Sequence, residues 1–200
     1  VGTVQPDWTI DDLADDYARC ARWAVDSGAD CIETNFSCPN VSTCDGQLFQ
    51  QHDAAGIVAA RVREAVGETP YIIKAGHVRD AATVGSLLDA VGPYVNALAM
   101  TNSVAATVQD ENGELLFDGA SRGICGDATR TASIGQTRLF AEEIAARDLP
   151  IEIIGVGGAS TAEHVHNYLS AGANAVHIAT AAMVDPTTAL RIRTELAAQT

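Results

Sequence analysis

The chain has 200 residues, 47% of them hydrophobic, which is enough for one sizeable domain with a buried core. A formal net charge of −14 disfavours binding to nucleic acid or to anionic membrane surfaces, and no apolar run approaches the length that spans a bilayer. The five cysteines lack a CxxC spacing and the five histidines are scattered. We therefore expect neither a disulfide framework nor a metal site, and a reducing cytoplasmic setting fits best.

The first half of the chain alternates between strand and helix patterns. Residues 1–4 resemble the end of a strand. Thr9 is a candidate N-cap, with Asp11 and Asp12 in the first turn of a helix that ends at Gly28. A strand is then predicted from Cys31. Further predicted elements are a helix at 54–66, a strand at 71–75, a helix at 81–91 and a strand at 95–100.

This alternation stops at residues 103–133, which are polar, rich in glycine and without helical period. Asn112-Gly113 is a strong turn signal, and we expect 106–108 to pair with 115–117 in a hairpin. Long excursions of this kind are usually lids or binding loops. Regular structure is then predicted as a helix at 136–147, a strand at 151–154, a helix at 162–169, a strand at 175–178 and a helix at 187–198.

Six alternations of strand and helix predict an α/β fold, with a buried parallel sheet and helices outside. An open doubly wound sheet and a (β/α)₈ TIM barrel are the two candidates. Polar or glycine positions end five successive strands, and a barrel gathers such positions into one ring. They are Asn35, Lys74, Asn102, Gly157 and Thr180. We therefore predict about six βα units of a (β/α)₈ barrel, whose first two units would precede this sequence.

Residues 31–40, CIETNFSCPN, begin as a strand and end in a polar loop. Asn35 and Asn40 offer side-chain amides, which can read the edges of a planar ligand that itself contains amides. Cys38 offers a thiol, which can act as a nucleophile or a base. The alternative for Cys38 is a small buried apolar residue, although its polar neighbours argue against this.

A phosphate site is predicted where two glycine-containing loops follow the last two strands. Gly157 and Gly158 precede a helix, and backbone N–H groups at a helix N-terminus favour an anion. Thr180 follows the next strand, in the usual position of a barrel phosphate site. Each of the remaining polar positions has two interpretations. Lys74 either pairs with Glu33 or faces a cofactor, and Asn102 is either a turn cap or a third ligand-reading amide.

Taken in order, NFSCPN, the lysine-bearing strand, TNS, the glycine-rich stretch, GVGG and ATA resemble the dihydroorotate dehydrogenase family. The cysteine in the NFSCPN loop, where a serine is the alternative, makes the sequence similar to the soluble class 1 enzymes of this family. The resemblance implies an FMN-containing barrel that oxidises dihydroorotate to orotate in pyrimidine synthesis. Residues 1–200 would be the C-terminal three-quarters of that single FMN-binding domain, and we expect no turnover from this piece alone.

The resemblance also implies roles for individual residues. Cys38 would remove the C5 proton while a hydride leaves C6 for the flavin. The substrate would be held by Asn35, Asn40 and Asn102, with Ser103 nearby. The cofactor would contact Lys74, Gly123, Gly126, Gly157, Gly158 and Thr180.

Two departures from the family pattern keep alternatives open. Ala179 replaces a usual glycine beside the phosphate site. The loop around Cys44 differs from the family pattern, so a related dihydropyrimidine is an alternative substrate.

The competing function is a non-redox barrel isomerase or lyase that acts on a phosphorylated substrate. A flavin-binding subunit without catalysis is the third alternative. The electron acceptor stays open between fumarate, NAD through a partner subunit, and a quinone. Relatives of class 1 imply a homo-oligomer, with an electron-transfer subunit as a further partner.

Overall fold

The computed structural model describes residues 7–37 and 47–198, and these form strands that alternate with helices along the chain. The helices are α1 (Ile10–Asp26), α2 (His52–Val66), α3 (Ala81–Val91), α4 (Arg130–Ala146), α5 (Ala162–Ser170), α6 (Thr180–Val184) and α7 (Thr188–Ala197). The strands are β1 (Ile32–Asn35), β2 (Tyr71–Lys74), β3 (Ala97–Met100), β4 (Val104–Ala106), β5 (Arg122–Ile124), β6 (Glu152–Val156) and β7 (Ala175–His177). The strand predicted at residues 1–4 lies outside the described residues.

The strand order identifies the architecture. In the described residues, the parallel sheet has five strands in the order β1-β2-β3-β6-β7, so each strand lies beside its neighbour in the chain apart from the inserted β4–β5 pair. A doubly wound sheet reverses its strand order at a switch point, and this sheet has no such reversal. The chain therefore forms a partial (β/α) barrel, as the sequence predicted.

The two faces of the sheet pack differently. The outer face and the helices share a large core whose buried members include Leu13, Phe36, Val58, Tyr71, Ile73, Leu87, Leu98 and Phe140. The inner face carries a small separate cluster of Ala97, Ala99 and Ile154, with Ile72 and Val156 against it. Since side chains alternate between the faces of a strand, Lys74 and Glu33 lie on this inner side with Ile72. The polar groups of the first two strands are thus directed toward the barrel interior.

Side-chain caps define the starts of two helices. Thr9 is the N-cap of α1, as predicted, and it forms a capping box with Asp12: the Thr9 N–H donates to Asp12 Oδ2 at 2.8 Å, and the Asp12 N–H donates to Thr9 Oγ1 at 3.2 Å. Asp80 caps α3 by accepting from the Thr83 N–H at 2.8 Å. Both helices begin where their side-chain acceptors satisfy backbone donors that have no partner within the helix.

The predicted hairpin is right in its turn and wrong in its strands. Gly113 has φ +85°, and the Asp110 N–H donates to the Glu114 oxygen at 2.9 Å, so Asn112-Gly113 does turn the chain. The paired strands are nevertheless β4 and β5, which lie nearer the barrel. Residues 115–117 are exposed and form no strand, although Leu115 bridges Gln109 and the Leu116 N–H donates to the Val108 oxygen at 2.9 Å. Without a sheet or helix to pack against, an apolar run at an exposed tip gains too little to form a strand.

Helix α4 begins six residues before its predicted start. The sequence from Arg130 to Gly135 looks like a polar loop, yet Ser133, Gln136 and Thr137 are all buried. Gln136 is satisfied by tertiary contacts: its Nε2 donates to the Gly76 oxygen at 2.8 Å, and its Oε1 accepts from the Val78 N–H at 3.2 Å. Burial with satisfied partners thus overrides the local preference of these residues. The short helix α6 was likewise not predicted.

Two features of the described residues bear on the class of function. No helix in the described part of the chain combines the length and the apolar character that crossing a membrane requires. Over residues 7–37 and 47–198, no three His, Cys, Asp or Glu side chains come together as a metal site.

Candidate functional site

A cleft of about 490 Å³ opens where the parallel strands reach their carboxyl ends. It brings together six of the residues proposed from the sequence, which are Lys74, Asn102, Gly126, Gly157, Gly158 and Thr180. They come from the ends of β2 and β3, from the segment before α4, and from the loops after β6 and β7. The cleft also contains apolar surface from Val156, Ile178 and Met183. It therefore combines hydrogen-bonding groups with an apolar wall, the usual composition of a small-molecule site.

Lys74 and Asn102 form the polar core of one wall. Lys74 Nζ donates to Asn102 Oδ1 at 3.1 Å, and Asn102 Nδ2 donates to the Ser37 backbone oxygen. The Ser37 N–H in turn donates to Asn35 Oδ1 at 3.0 Å. This chain of hydrogen bonds joins the ends of β1, β2 and β3, and it holds both amides in defined orientations.

The loop after β6 approaches its neighbours so closely that glycine is required. Gly157 has φ +140° and Gly158 has φ +65°. A Cβ on Gly157 would lie 2.4 Å from Ser133 Oγ, and one on Gly158 would lie 2.8 Å from the Gly126 oxygen. This loop precedes α5, so its backbone can present N–H groups to an anion.

Tyr168, on α5, contacts the same loop and hydrogen-bonds to it. Its hydroxyl donates to the Gly157 oxygen at 2.6 Å, and its ring fills the space that a side chain on Gly155 would need. Burial raises the pKa of Tyr168, so the phenol stays protonated and remains a donor. The sequence placed Tyr168 in a helix but gave no sign of this role.

The opposite wall of the cleft comes from the segment after β7. Thr180 lies close to Gly126, where an added Cβ would meet Thr180 Cγ2 at 3.3 Å. Ala179, which departs from the family pattern, has φ −118°, a value that a residue with a side chain adopts readily. Alanine in place of the usual glycine is thus compatible with this backbone.

Glu33 and His177 line another part of the cleft. One interpretation of the sequence paired Glu33 with Lys74. In the structure, Glu33 Oε2 lies 3.8 Å from His177 Nδ1. The Cys125 thiol is also exposed to the cleft, 4.0 Å from the Asn102 oxygen. The sequence had singled out neither His177 nor Cys125.

Gln136 connects the loops that carry the polar wall. Its Oε1 accepts from the Val78 N–H at 3.2 Å and from Thr101 Oγ1 at 3.1 Å, while its Nε2 donates to the Gly76 oxygen. It thereby ties the ends of β2 and β3 to α4. A glutamine in a polar stretch has no pattern that could have identified this role.

Ser103 lies in a second, smaller cleft of about 230 Å³ rather than in the main one. Ser37, His77 and Arg79 also line it. Burial, and after it the neighbouring Arg79 guanidinium, lowers the pKa of His77. His77 therefore favours its neutral form near pH 7, in which it can both donate and accept hydrogen bonds.

The remaining predicted residues are placed as follows. Gly123 lies on β5 opposite Ala105 and does not line the main cleft. Asn35 is exposed at the end of β1 and does not line the main cleft; its Oδ1 accepts from the N–H of Ser37, which lines the second cleft. The proposed base Cys38, together with Asn40 and Cys44, lies outside the described residues.

Comparisons with known proteins agree on one family. The family model described as dihydroorotate dehydrogenase matches residues 7–199. The dihydroorotate dehydrogenase of Dictyostelium discoideum is 33% identical over 187 residues, which are 90% of this chain and 50% of that protein. The dihydroorotate dehydrogenase B (NAD(+)) catalytic subunit of Desulforudis audaxviator is 34% identical over 190 residues, 92% of this chain and 59% of that protein.

A fumarate-type relative and a solved structure extend the comparison. The dihydroorotate dehydrogenase A (fumarate) of Lactobacillus helveticus is 31% identical over 193 residues, 94% of this chain and 60% of that protein. The crystal structure of the Eimeria tenella enzyme in complex with ferulenol matches 96% of this chain and 55% of that one, with a TM-score of 0.75 at 18% identity. The chain thus spans between 50% and 60% of the length of these curated relatives.

Proposed function

The chain belongs to the dihydroorotate dehydrogenase family, and on that premise we propose that it contributes the active site of an FMN-dependent oxidation of dihydroorotate to orotate in pyrimidine synthesis. The observation that carries the proposal is the convergence of the Lys74–Asn102 pair and the glycine loop on one cleft. The pair suits a planar ring that carries amides, and the loop suits a phosphate. A flavin mononucleotide presents both chemical groups in one molecule.

The residues of the cleft fit FMN in size and in chemistry. A volume of about 490 Å³ lies within the range of roughly 300–1,000 Å³ that is typical of ligand pockets. Backbone N–H groups near Gly157 and Gly158 and the hydroxyl of Thr180 would hold the phosphate. Lys74 would lie against the ring, where a cation favours the negative charge of the reduced cofactor. Gly126 would border the phosphate side.

The reaction removes a proton from C5 and a hydride from C6 of dihydroorotate, and leaves the C5–C6 double bond of orotate. When bound, FMN supplies the acceptor for the hydride. We assign the proton to the thiolate of Cys38, because a C–H bond beside a carbonyl is a weak acid and needs a positioned base. Asn35, Asn40 and Asn102 would hold the carboxylate and ring amides, with Ser103 beside them.

The later fate of the electrons involves a partner or a second substrate. Relatives are named both as a fumarate type and as the catalytic subunit of an NAD type. We therefore propose fumarate, or NAD through an electron-transfer subunit, as the acceptor, with a quinone as the remaining candidate. A homo-oligomer in the cytoplasm is the setting that we expect, and the free thiols of Cys20, Cys31 and Cys125 are compatible with a reducing compartment.

The test is the visible spectrum of the purified full-length protein, followed by anaerobic addition of dihydroorotate. We expect bound flavin absorbance that bleaches as the substrate is oxidised. A colourless protein that does not take up FMN would contradict the proposal and favour a non-redox isomerase or lyase that uses the glycine loops for a substrate phosphate. A yellow protein that does not bleach would indicate a flavin-binding subunit without this catalysis.

A further inference from the structure

The peptide bond between Gly157 and Gly158 lies at the proposed phosphate site and has two accessible orientations. Glycine on both sides removes the side chains that would otherwise restrict rotation of the peptide plane. The bond is trans, so the Gly157 oxygen and the Gly158 N–H point in opposite directions. One orientation presents an N–H donor to the cleft, which attracts an anion, and the reverse presents a carbonyl oxygen, which repels it. The affinity of the loop for a phosphate therefore depends on the orientation that the chain holds.

Tyr168 selects one of these orientations. Its hydroxyl donates to the Gly157 oxygen at 2.6 Å and so turns that oxygen toward α5. Tyr168 is fully buried in the large core that the helices share with the outer face of the sheet. Gly157 and Gly158, in contrast, line the main cleft. The oxygen is thus held on the side away from the cleft, and the Gly158 N–H is directed toward the cleft.

The position of Tyr168 in α5 explains how its hydroxyl reaches this loop. Side chains on a helix point back toward its N-terminus, and Tyr168 lies in the last turn of the nine-residue α5. Its ring therefore runs back along the helix toward the loop that precedes it. A Cβ on Gly155 would lie 2.9 Å from Tyr168 Cε1. The absence of a side chain at Gly155 thus makes room for the ring that carries the hydroxyl.

The other side of the loop rests on buried side chains at the start of α4. A Cβ on Gly157 would lie 3.0 Å from Ser133 Cβ and 3.1 Å from Thr129 Oγ1. The Thr129 hydroxyl donates elsewhere, to the Gly126 oxygen at 2.9 Å. These contacts limit where the loop can lie, whereas the hydrogen bond from Tyr168 determines which way its peptide faces.

We propose that Tyr168 is a positioning residue for the phosphate of FMN, because its hydroxyl holds the Gly157 oxygen away from the cleft and leaves the Gly158 N–H free to donate to the phosphate. A donor that is oriented before the ligand arrives loses little freedom on binding. This inference rests on the function proposed above. It adds a residue that does not line the cleft and that acts on the cofactor through the backbone. Tyr168 should therefore affect the affinity for the phosphate and leave the affinity for the flavin ring unchanged.

The test compares FMN with riboflavin, which has the same ring and sugar chain but no phosphate. The Kd of each flavin for the flavin-free full-length protein is measured by fluorescence titration in the wild type, in Tyr168→Phe and in Tyr17→Phe. Tyr17 is the matched control, since it is also buried and its phenol also donates to a backbone oxygen at the end of a strand, that of Asn35, at 2.9 Å. The quantity compared is the ratio of the two Kd values, because a purely structural role of Tyr168 would change both alike.

We expect Tyr168→Phe to reduce the preference for FMN over riboflavin by about tenfold, which corresponds to about 1.4 kcal/mol and is close to the lower limit for a hydrogen bond to a charged group. The riboflavin affinity should not change, and Tyr17→Phe should leave the ratio unchanged. An unchanged ratio in Tyr168→Phe, or an equal loss of both affinities, would overturn the inference alone. A wild-type protein that binds neither flavin, or binds both equally, would overturn the proposed phosphate site together with it.

A second variant tests the donor proton while retaining both the ring and the hydroxyl. Tyr168→3,5-difluorotyrosine ionises at lower pH than tyrosine, because fluorine withdraws electrons from the ring, and a phenolate cannot donate a hydrogen bond. Burial raises the pKa of the native phenol, so the wild type keeps its proton at alkaline pH. The preference for FMN should then fall with rising pH in the difluorotyrosine protein and not in the wild type. The same pH response in both proteins would contradict the role of the hydroxyl.

Discussion

His177 Nδ1 lies 3.8 Å from Glu33 Oε2, and these residues belong to the two outermost strands of the parallel sheet. Adjacent strands are about 4.8 Å apart, so the outer strands of a flat five-stranded sheet would be separated by roughly 19 Å. A direct approach of the two side chains therefore requires a strongly curved sheet. This curvature turns the carboxyl ends of all five strands toward one cleft.

The Glu33–His177 contact should follow from this curvature and contribute little to it. Both side chains are partly exposed, and pairs of this kind contribute about 0–1 kcal/mol. We expect the double-mutant cycle of Glu33→Gln and His177→Gln to give a coupling free energy below about 1 kcal/mol in urea unfolding at pH 6. A coupling several times larger would mean that the contact holds the outer strands together.

Gly158 should be essential to the geometry of the loop after β6. Its φ of +65° and the backbone atoms that crowd its Cβ position predict that Gly158→Ala lowers stability by at least about 1 kcal/mol and weakens FMN binding. Gly135→Ala is the matched control, because Gly135 lies within α4 with open space around it. That substitution should raise stability by about 0.5–1 kcal/mol. Equal FMN affinities of the two variants would contradict a role for the loop in binding.

Lys74 is the only lysine among residues 1–200, and amine modification of the peptide that contains it can be followed individually. Reductive methylation followed by mass spectrometry of the peptide that contains Lys74 measures its accessibility. We expect saturating FMN to slow the modification markedly, because the ring would cover the ammonium group. The N-terminal amine provides the internal control and should react at the same rate in both samples. Unchanged reactivity of Lys74 would place the flavin elsewhere.

Cys38→Ala should leave FMN bound and slow flavin reduction by dihydroorotate about 10²–10⁴-fold, the usual contribution of general base catalysis. In the wild type, the reduction rate should rise with pH through the ionisation of the thiol, whose ordinary pKa is about 8.5. Cys31→Ala, at an exposed position before β1, should behave like the wild type in stopped-flow measurements. A normal rate in Cys38→Ala would eliminate that residue as the base.

Asp80 should make the stability of α3 depend on pH. Hydrogen bonds from the Thr83 N–H and hydroxyl lower the pKa of its carboxyl group. A lowered pKa in the folded state gives a contribution that is complete above the unfolded value of about 3.9 and is lost as pH falls through the folded value. We therefore expect Asp80→Ala to have a lower Tm than the wild type at pH 7, with the difference shrinking below about pH 4. A difference that stays constant down to pH 2 would contradict this account.

The sequence by itself determined the features that depend on local chemistry. Thr9 and Asp12 specify a helix start because their side chains satisfy neighbouring backbone donors. Gly157 and Gly158 mark a turn because few other residues adopt positive φ. Alternating apolar runs predicted the parallel sheet, and this placed Lys74 and Asn102 at strand ends before any contact was known.

Tertiary structure alone decided which of these positions meet. The extended start of α4 and the position of Ser103 in the second cleft both depend on contacts between segments far apart in the chain. Gln136 illustrates the reason, since its helix is stabilised by carbonyl and amide groups some 60 residues away in sequence. Local propensities amount to a few tenths of a kcal/mol per residue, whereas a buried polar group left without a partner costs about 1–3 kcal/mol. Where the two compete, the distant partner determines the conformation.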